Sequence, residues 1–168
     1  LRAAAFRSGS ADDEAAQAML ARLAQIVARP QAALSQSAQS LRRLIIDTFS
    51  NQTDPWGRRW ARWAPATRAS RARSGGSGQI LREFGNLFSK IDVRANDAGL
   101  TAVSGADYSS YHQFGNPSHR AWGGPVSPLP QRAFLPERAP GVVDIPAAWW
   151  AEILFPVELA ISRAGGGA

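Results

Sequence analysis

The groups best suited to chemistry lie close together near the middle of the chain. Asp107, Ser109, Ser110 and His112 supply a carboxylate, two hydroxyls and an imidazole, the groups with which hydrolases activate a serine nucleophile. Such groups are assembled in space, however, and the chain lacks the Gly-x-Ser-x-Gly turn that presents a serine for attack. We therefore predict that the protein is not an enzyme and that His112 forms a hydrogen bond within a packed turn.

Metal and nucleotide sites find little support in the sequence. The chain has no cysteine, and no carboxylate lies between its two histidines, His112 and His119, so the usual metal-ligand spacings are missing. The Gly-rich run at 74–78 lacks the Gly-Lys-Ser/Thr ending of a phosphate-binding loop and resembles a flexible linker. We predict no metal and no cofactor.

A segment at 54–79 combines tryptophan with arginine and has no acidic residue after Asp54. Two interpretations stay open: the segment binds nucleic acid through phosphate contacts and base stacking, or its rings anchor it to the protein beneath arginine stems. We favour packing, because no signature of a nucleic-acid module accompanies the pattern. The interface candidates here and further along the chain are Trp56, Arg58, Arg59, Trp60, Arg62, Trp63, Arg68, Arg71, Arg73, His119, Arg120 and Trp122.

Composition narrows the class of protein. The 168 residues are 45% hydrophobic and include six tryptophans, which suits one domain with a real core. The net charge of +6 is arginine charge, since Lys90 is the only lysine, and the codon bias of a GC-rich genome would give the same excess. The charge permits nucleic acid or acidic protein surfaces as partners and does not choose between them. The most apolar stretch, 145–161, is interrupted by Glu152, Pro156 and Glu158 and is shorter than the roughly 20 residues that span a bilayer. We expect a soluble, intracellular protein with no membrane partner.

Hydrophobic periodicity predicts the elements that must position these residues. We predict an α+β fold in a single domain, with N-terminal helices over 1–53 that are interrupted at Pro30. An extended arm over 54–79 precedes a core over 80–144, which contains a short helical face at 80–88 and a small antiparallel sheet with a hairpin at 90–104. An aromatic helical turn, a loose arm over 116–131 and a strand at 132–135 follow. A C-terminal helix and flexible tail occupy 145–168.

Four segments resemble those of the phage virion morphogenesis family, the tail-completion proteins of Mu-like and related tailed phages. The strongest are Tyr108-Ser-Ser-Tyr-His-Gln-Phe-Gly115, similar to the family's Tyr-Ala-x-Ile-His-Gln-Phe-Gly, and Arg132-Ala-Phe-Leu-Pro136, similar to Pro-Ala-Arg-Pro-Phe-Leu. Residues 54–67 and 80–91 resemble two further segments, although Glu83-Phe84 departs from the family's Asp/Glu-Thr pair. The order and spacing agree from about Leu34 to Glu137.

The resemblance implies a structural virion protein at the head–tail junction, or neck, assembled in the host cytoplasm. It implies a homo-oligomeric ring, commonly a hexamer, around the DNA channel, with the tail tube protein and a head connector or head-closure protein as partners and channel DNA as a further contact. A basic nucleic-acid-binding module is the alternative function. Within the subunit we predict a structural cluster that joins the helical turn to the next strand: Tyr108, Tyr111, His112, Phe114, Arg132 and Phe134.

Overall fold

Two long helices begin the fold in the computed structural model. Helix α1 (Ala11–Ala28) and helix α2 (Gln31–Asn51) lie on either side of Pro30, as predicted, because proline has no N–H to continue the first helix. Every described side chain of α1 is at least partly exposed, whereas α2 buries one complete face. The structure describes residues 11–75, 78–82, 85–96, 98–120 and 124–165.

The core is built around the C-terminal half of α2. Ile45 and Phe49 are completely buried, and α2 packs against both the C-terminal helix and the first hairpin. The Phe49 ring lies 5.4 Å from Trp60, 5.5 Å from Phe88 and 5.4 Å from Phe134, measured between ring centroids. Aromatic edge contacts at these distances add to the burial of apolar area. One phenylalanine therefore joins three distant segments of the chain.

Two small antiparallel sheets complete the α+β arrangement. Strand β1 (Ile91–Asn96) pairs with β2 (Gly99–Ser104), in a register that runs from Ile91 opposite Ser104 to Asn96 opposite Gly99. This hairpin confirms the prediction for 90–104. The second sheet joins β3 (Glu137–Ala139) to β4 (Val142–Val143) through a turn at Gly141, whose φ of 77° favours glycine.

Four further helices lie outside the N-terminal pair in the part of the chain described. They are α3 (Pro65–Ser74), α4 (Asn86–Ser89), α5 (Ser109–Phe114) and α6 (Ala147–Gly165). Helix α6 continues through Pro156 and packs on both α1 and α2. Helix α5 is the predicted aromatic turn, and the glycine that follows it has a positive φ.

Three local predictions differ from the structure. Residues 65–74 form a helix and not an extended arm, because Pro65 starts it and alanine and arginine favour helix over most of its length. The helical face expected over 80–88 is limited to α4. No strand forms at 132–135, because the backbone there bonds to a side chain and to α5 instead of to a neighbouring strand.

The segment 116–131 is an irregular hairpin where its residues are described. Asn116 pairs with Leu129 through two backbone hydrogen bonds of 2.9 and 2.8 Å, and Arg120 forms a bridge with Val126. The segment is therefore folded back on itself and is not a loose arm. Predictions for Trp122, for Glu83-Phe84, for residues 76–77 of the Gly-rich run and for residues 166–168 of the tail lie outside the described residues.

Candidate interaction site

Gln113 is the residue that fixes the site, and the sequence-based list of candidates omitted it. Its side chain is buried, and its Oε1 accepts hydrogen bonds from the backbone N–H groups of Phe134 and Leu135, both at 3.0 Å. Its Nε2 donates to the carbonyl oxygens of Leu135 at 2.9 Å and Glu137 at 2.7 Å. The carboxamide thus bonds to four backbone groups, of which the Leu135 carbonyl oxygen also accepts from the Glu137 N–H. The sequence feature that could have indicated Gln113 is its position as a polar residue between the aromatic residues of a short helix.

Arg132 lies beside this junction and is buried, with 5% of its surface exposed. Its backbone N–H donates to the His112 carbonyl oxygen at 2.7 Å, while its Nε donates to the Ala61 carbonyl oxygen at 3.0 Å. Burial lowers the pKa of the guanidinium from its usual value. No described carboxylate forms an ion pair with Arg132, and the partners that the structure describes for its guanidinium are the carbonyl oxygens of Ala61 and Arg62.

Gly115 allows the chain to turn from α5 into the hairpin at 116–131. Its φ is 77°, a region that side chains rarely adopt. A Cβ at this position would lie 3.0 Å from the Gln131 backbone nitrogen and 3.2 Å from the Leu129 carbonyl oxygen. Both the conformation and the space therefore require glycine.

A cavity of about 730 Å³ opens where α3, α5 and the hairpin meet. We call it the basic cavity. Its charged and titratable lining residues are Arg62, Arg71, Arg132, His112 and His119, and its described lining includes no carboxylate. Its apolar lining residues are Trp63, Ala64, Leu81, Leu87, Pro128, Leu129 and Pro130.

His112 stands at the wall of the basic cavity. Burial, and next the positive charge of Arg132, lower the pKa of His112 from 6.5 to about 4. Its Nδ1 is buried and has no hydrogen-bond partner in the described structure, so the hydrogen bond predicted from the sequence is not formed there. The Tyr108 ring packs edge-on against the imidazole at 5.8 Å. The imidazole is neutral at physiological pH and surrounded by positive charge.

The predicted structural cluster is divided between two environments. Phe134 is completely buried against Phe49, whereas Tyr111 is half exposed and Tyr108 is also exposed. Phe114 is half-buried. The helical turn and the following segment are joined by backbone hydrogen bonds and by Gln113, so the aromatic residues do not form one packed group.

The tryptophans of the 54–79 segment have three different surroundings. Trp60 is buried and donates from Nε1 to the Ala133 carbonyl oxygen at 2.9 Å, so it is a core residue and unavailable to a partner. Trp56 donates to the Asp144 carboxylate at 3.1 Å and lies under the Arg138 guanidinium. Trp63 is half-buried, with the Arg71 guanidinium 5.6 Å from its ring centroid.

The arginines of this segment remain largely at the surface. Arg58 pairs with buried Asp54 through a 2.8 Å contact, and the same carboxylate accepts from the backbone N–H groups of Trp56 and Arg58. The side chains that are exposed are Arg58, Arg59, Arg62, Arg68 and Arg73. In the hairpin Arg120 is exposed and donates to the Gly124 carbonyl oxygen, while His119 is half-buried.

A separate apolar surface lies along α6. Trp150, Leu154, Phe155 and Ile161 are exposed there, and we call these four residues the α6 strip. Val142 and Val143 on β4 are also exposed, and a mainly apolar cavity of about 440 Å³ separates β2 and β4 from α6. Clustered exposed apolar side chains commonly mark protein contact surfaces.

In the described ranges no group of three or more His, Cys, Asp or Glu side chains is placed to hold a metal ion. None of the helices in the same residues is both long and apolar enough to cross a membrane.

Comparison with known proteins assigns the family. No curated protein and no solved structure matches the chain. The sequence profile of the phage virion morphogenesis family matches residues 11–144, which include α1 through β4 and the whole of the basic cavity. The chain therefore belongs to the phage virion morphogenesis family, whose description indicates a structural or assembly role in a bacteriophage virion.

Proposed function

We propose that the protein is a structural virion protein at the head–tail junction of a tailed phage. In this role it completes or caps the tail tube and joins it to the head connector as a homo-oligomeric ring, a hexamer, around the DNA channel. Its neighbours are copies of itself, the tail tube protein and a head connector or head-closure protein. The observation that carries the proposal is the family match over residues 11–144.

The exposed apolar surfaces support a subunit that is covered by neighbours. The α6 strip lies on the C-terminal helix, and α1 exposes Met19, Leu20 and Val27. A ring needs two different surfaces on each subunit, because each contact joins the front of one copy to the back of the next. The two sets of apolar side chains suit such head-to-tail contacts.

The charge of the chain supports a place beside DNA or acidic proteins. The net charge is +6, and the exposed arginines of 54–79 add positive potential to one segment. Such a surface attracts polyanions at long range. In a ring around a DNA channel, this positively charged surface contacts either the DNA or the acidic surface of a neighbouring protein.

Electron microscopy of lysates from a phage that lacks the gene tests the role. We expect filled heads and complete but unattached tails, because the joint is missing while both substructures assemble. Complementation with the intact gene restores joined particles. Intact virions in the deletion lysate would overturn the proposal, and heads without any tails would place the protein at an earlier step.

A basic nucleic-acid-binding module is the second candidate, and helix α3 favours it. This helix carries Arg68, Arg71 and Arg73, contains no acidic residue and buries none of its side chains. Titration of a DNA duplex at several salt concentrations separates the two functions. Submicromolar affinity with a steep salt dependence supports the module, whereas weak binding with a shallow dependence supports the junction role.

A further inference from the structure

We propose that the basic cavity is an anion-binding site that receives an aspartate or glutamate side chain of a partner protein. The inference rests on the proposed function only for the partner, which would be a neighbouring subunit or another neck protein. The site itself follows from the charges, the burial and the shape of the cavity.

Arg132 provides the first argument, because its charge is buried and no described carboxylate is its counter-ion. Its guanidinium bonds to the carbonyl oxygen of Ala61 and lines the cavity. Neutral carbonyl groups compensate a buried cation poorly compared with a carboxylate, which accepts two parallel N–H bonds from arginine. A carboxylate in the cavity would complete the environment of Arg132.

The neighbours of Arg132 provide the second argument. His112 and Arg62 line the same cavity, and neither forms an ion pair with a described carboxylate. The negative charge of a bound carboxylate would favour the protonated form of the imidazole. Arg132, Arg62 and His112 therefore each lack a carboxylate partner among the residues that the structure describes.

The shape of the cavity selects a protein carboxylate over a DNA phosphate. The cationic groups lie inside a concavity whose other walls include Trp63, Leu87 and Leu129. A side chain with an aliphatic stem can place its carboxylate beside Arg132 while the stem contacts these apolar groups. The phosphates of a duplex lie on a wide rod that is too broad to enter such a concavity, whereas a single carboxylate side chain can enter it.

The test measures peptide binding to the full chain by NMR. The probes are acetyl-Leu-Glu-Leu-amide, its Gln counterpart and a short DNA duplex. The imidazole signals are simple to assign because the chain has two histidines. We expect the Glu peptide to shift the His112 signals and to bind about tenfold more tightly than the Gln peptide, a difference of one charged hydrogen-bonded contact.

Matched variants locate the site. Arg62→Gln removes a cavity charge from an exposed side chain, so the fold is retained, and it should weaken Glu-peptide binding about tenfold. Arg59→Gln removes an exposed charge of the same segment outside the cavity and should change affinity by less than about twofold. Equal weakening by both variants would show a general charge effect and overturn the site.

Two further results would also overturn the proposal. One is equal binding of the Glu and Gln peptides, or no shift at His112 with either peptide. The other is a larger shift with the duplex than with the Glu peptide, which would assign the cavity to nucleic acid. Because binding is measured on the isolated chain, its failure is distinct from failure of the junction role, which is read from particles in a lysate.

Discussion

The Gln113 carboxamide bonds to both backbone groups of Leu135. Its Oε1 accepts from the Leu135 N–H at 3.0 Å and its Nε2 donates to the Leu135 carbonyl oxygen at 2.9 Å. The same two groups on a neighbouring strand would make the same pair of bonds in an antiparallel sheet. One side chain therefore replaces a strand edge and fixes α5 to the segment that ends in β3.

Gln113→Met should destabilise the fold by about 3 kcal/mol or more, because each buried backbone group left without a partner costs about 1–3 kcal/mol. Methionine keeps the length of the side chain and removes both polar atoms. The free energy of unfolding from urea denaturation measures the loss. Gln36→Met, at an exposed position of α2, is the control and should change stability by less than about 0.5 kcal/mol. Equal effects at both positions would contradict the role of Gln113.

Phe134→Ala should lower the free energy of unfolding by about 3–5 kcal/mol, because its completely buried ring leaves a cavity beside Phe49. Tyr111→Ala should cost less than about 1 kcal/mol, since half of that residue is exposed. Thermal and urea denaturation of both variants compare the two aromatic positions directly. A loss below about 1 kcal/mol for Phe134→Ala would show that its ring is not part of the core.

The stability of the fold should depend on His112 in acid. Its pKa is about 4 in the folded protein and 6.5 as the ordinary value, so the unfolded state takes up a proton first as the pH falls. The contribution of neutral His112 is complete above pH 6.5 and is lost as the pH falls from 6.5 to 4.

Urea denaturation across this range should show a smaller decrease in stability for His112→Gln than for the unchanged protein. Imidazole chemical shifts give the midpoint for His112 directly. A midpoint near 6.5, the ordinary value, would contradict the buried environment described for this residue.

Gly115→Ala should destabilise the hairpin at 116–131 by more than the roughly 1 kcal/mol expected from positive φ alone. Its added Cβ would crowd the Gln131 nitrogen. Gly57→Ala is the matched control, since Gly57 has a φ of 86° and open space around its Cβ position. Amide hydrogen exchange at Asn116 and Leu129 should accelerate only in Gly115→Ala. Unchanged exchange at both amides would contradict the tight approach.

Phe155→Asp should prevent oligomer formation if the α6 strip is a subunit interface. Phe155 is 60% exposed, so the change leaves the core intact while placing a charge in an apolar contact. Val103→Asp, at an exposed position of β2, is the control and should leave the oligomer unchanged. Sedimentation velocity measures both. Oligomers of normal size in Phe155→Asp would exclude the strip as an interface.

The regular elements were predictable because their signals are local. Pro30 separates two helices with helical apolar spacing, and the turn at Asn96 and Gly99 specifies the first hairpin. The environment of each site residue depends on distant parts of the chain. Trp60 and Trp63 are both tryptophans beside arginine, but only Trp60 reaches Phe49 and the Ala133 carbonyl oxygen.

The role of Gln113 could not be predicted from the sequence either, for a related reason. Its partners are backbone atoms of Phe134, Leu135 and Glu137. Because residues of almost every type carry the same backbone groups, the sequence does not indicate which of them a side chain will bond. The same holds for the basic cavity, which brings together α3, α5 and the hairpin at 116–131. The family resemblance identified the right motif without indicating which of its side chains holds the junction.

The position of Phe49 has a consequence for folding during synthesis on the ribosome. Its ring is enclosed only when Trp60, Phe88 and Phe134 are all in place, and Phe134 is synthesised long after Phe49. Closing such long loops is entropically unfavourable until the last contact forms. A nascent chain therefore cannot complete the packing around Phe49 until Phe134 has been synthesised.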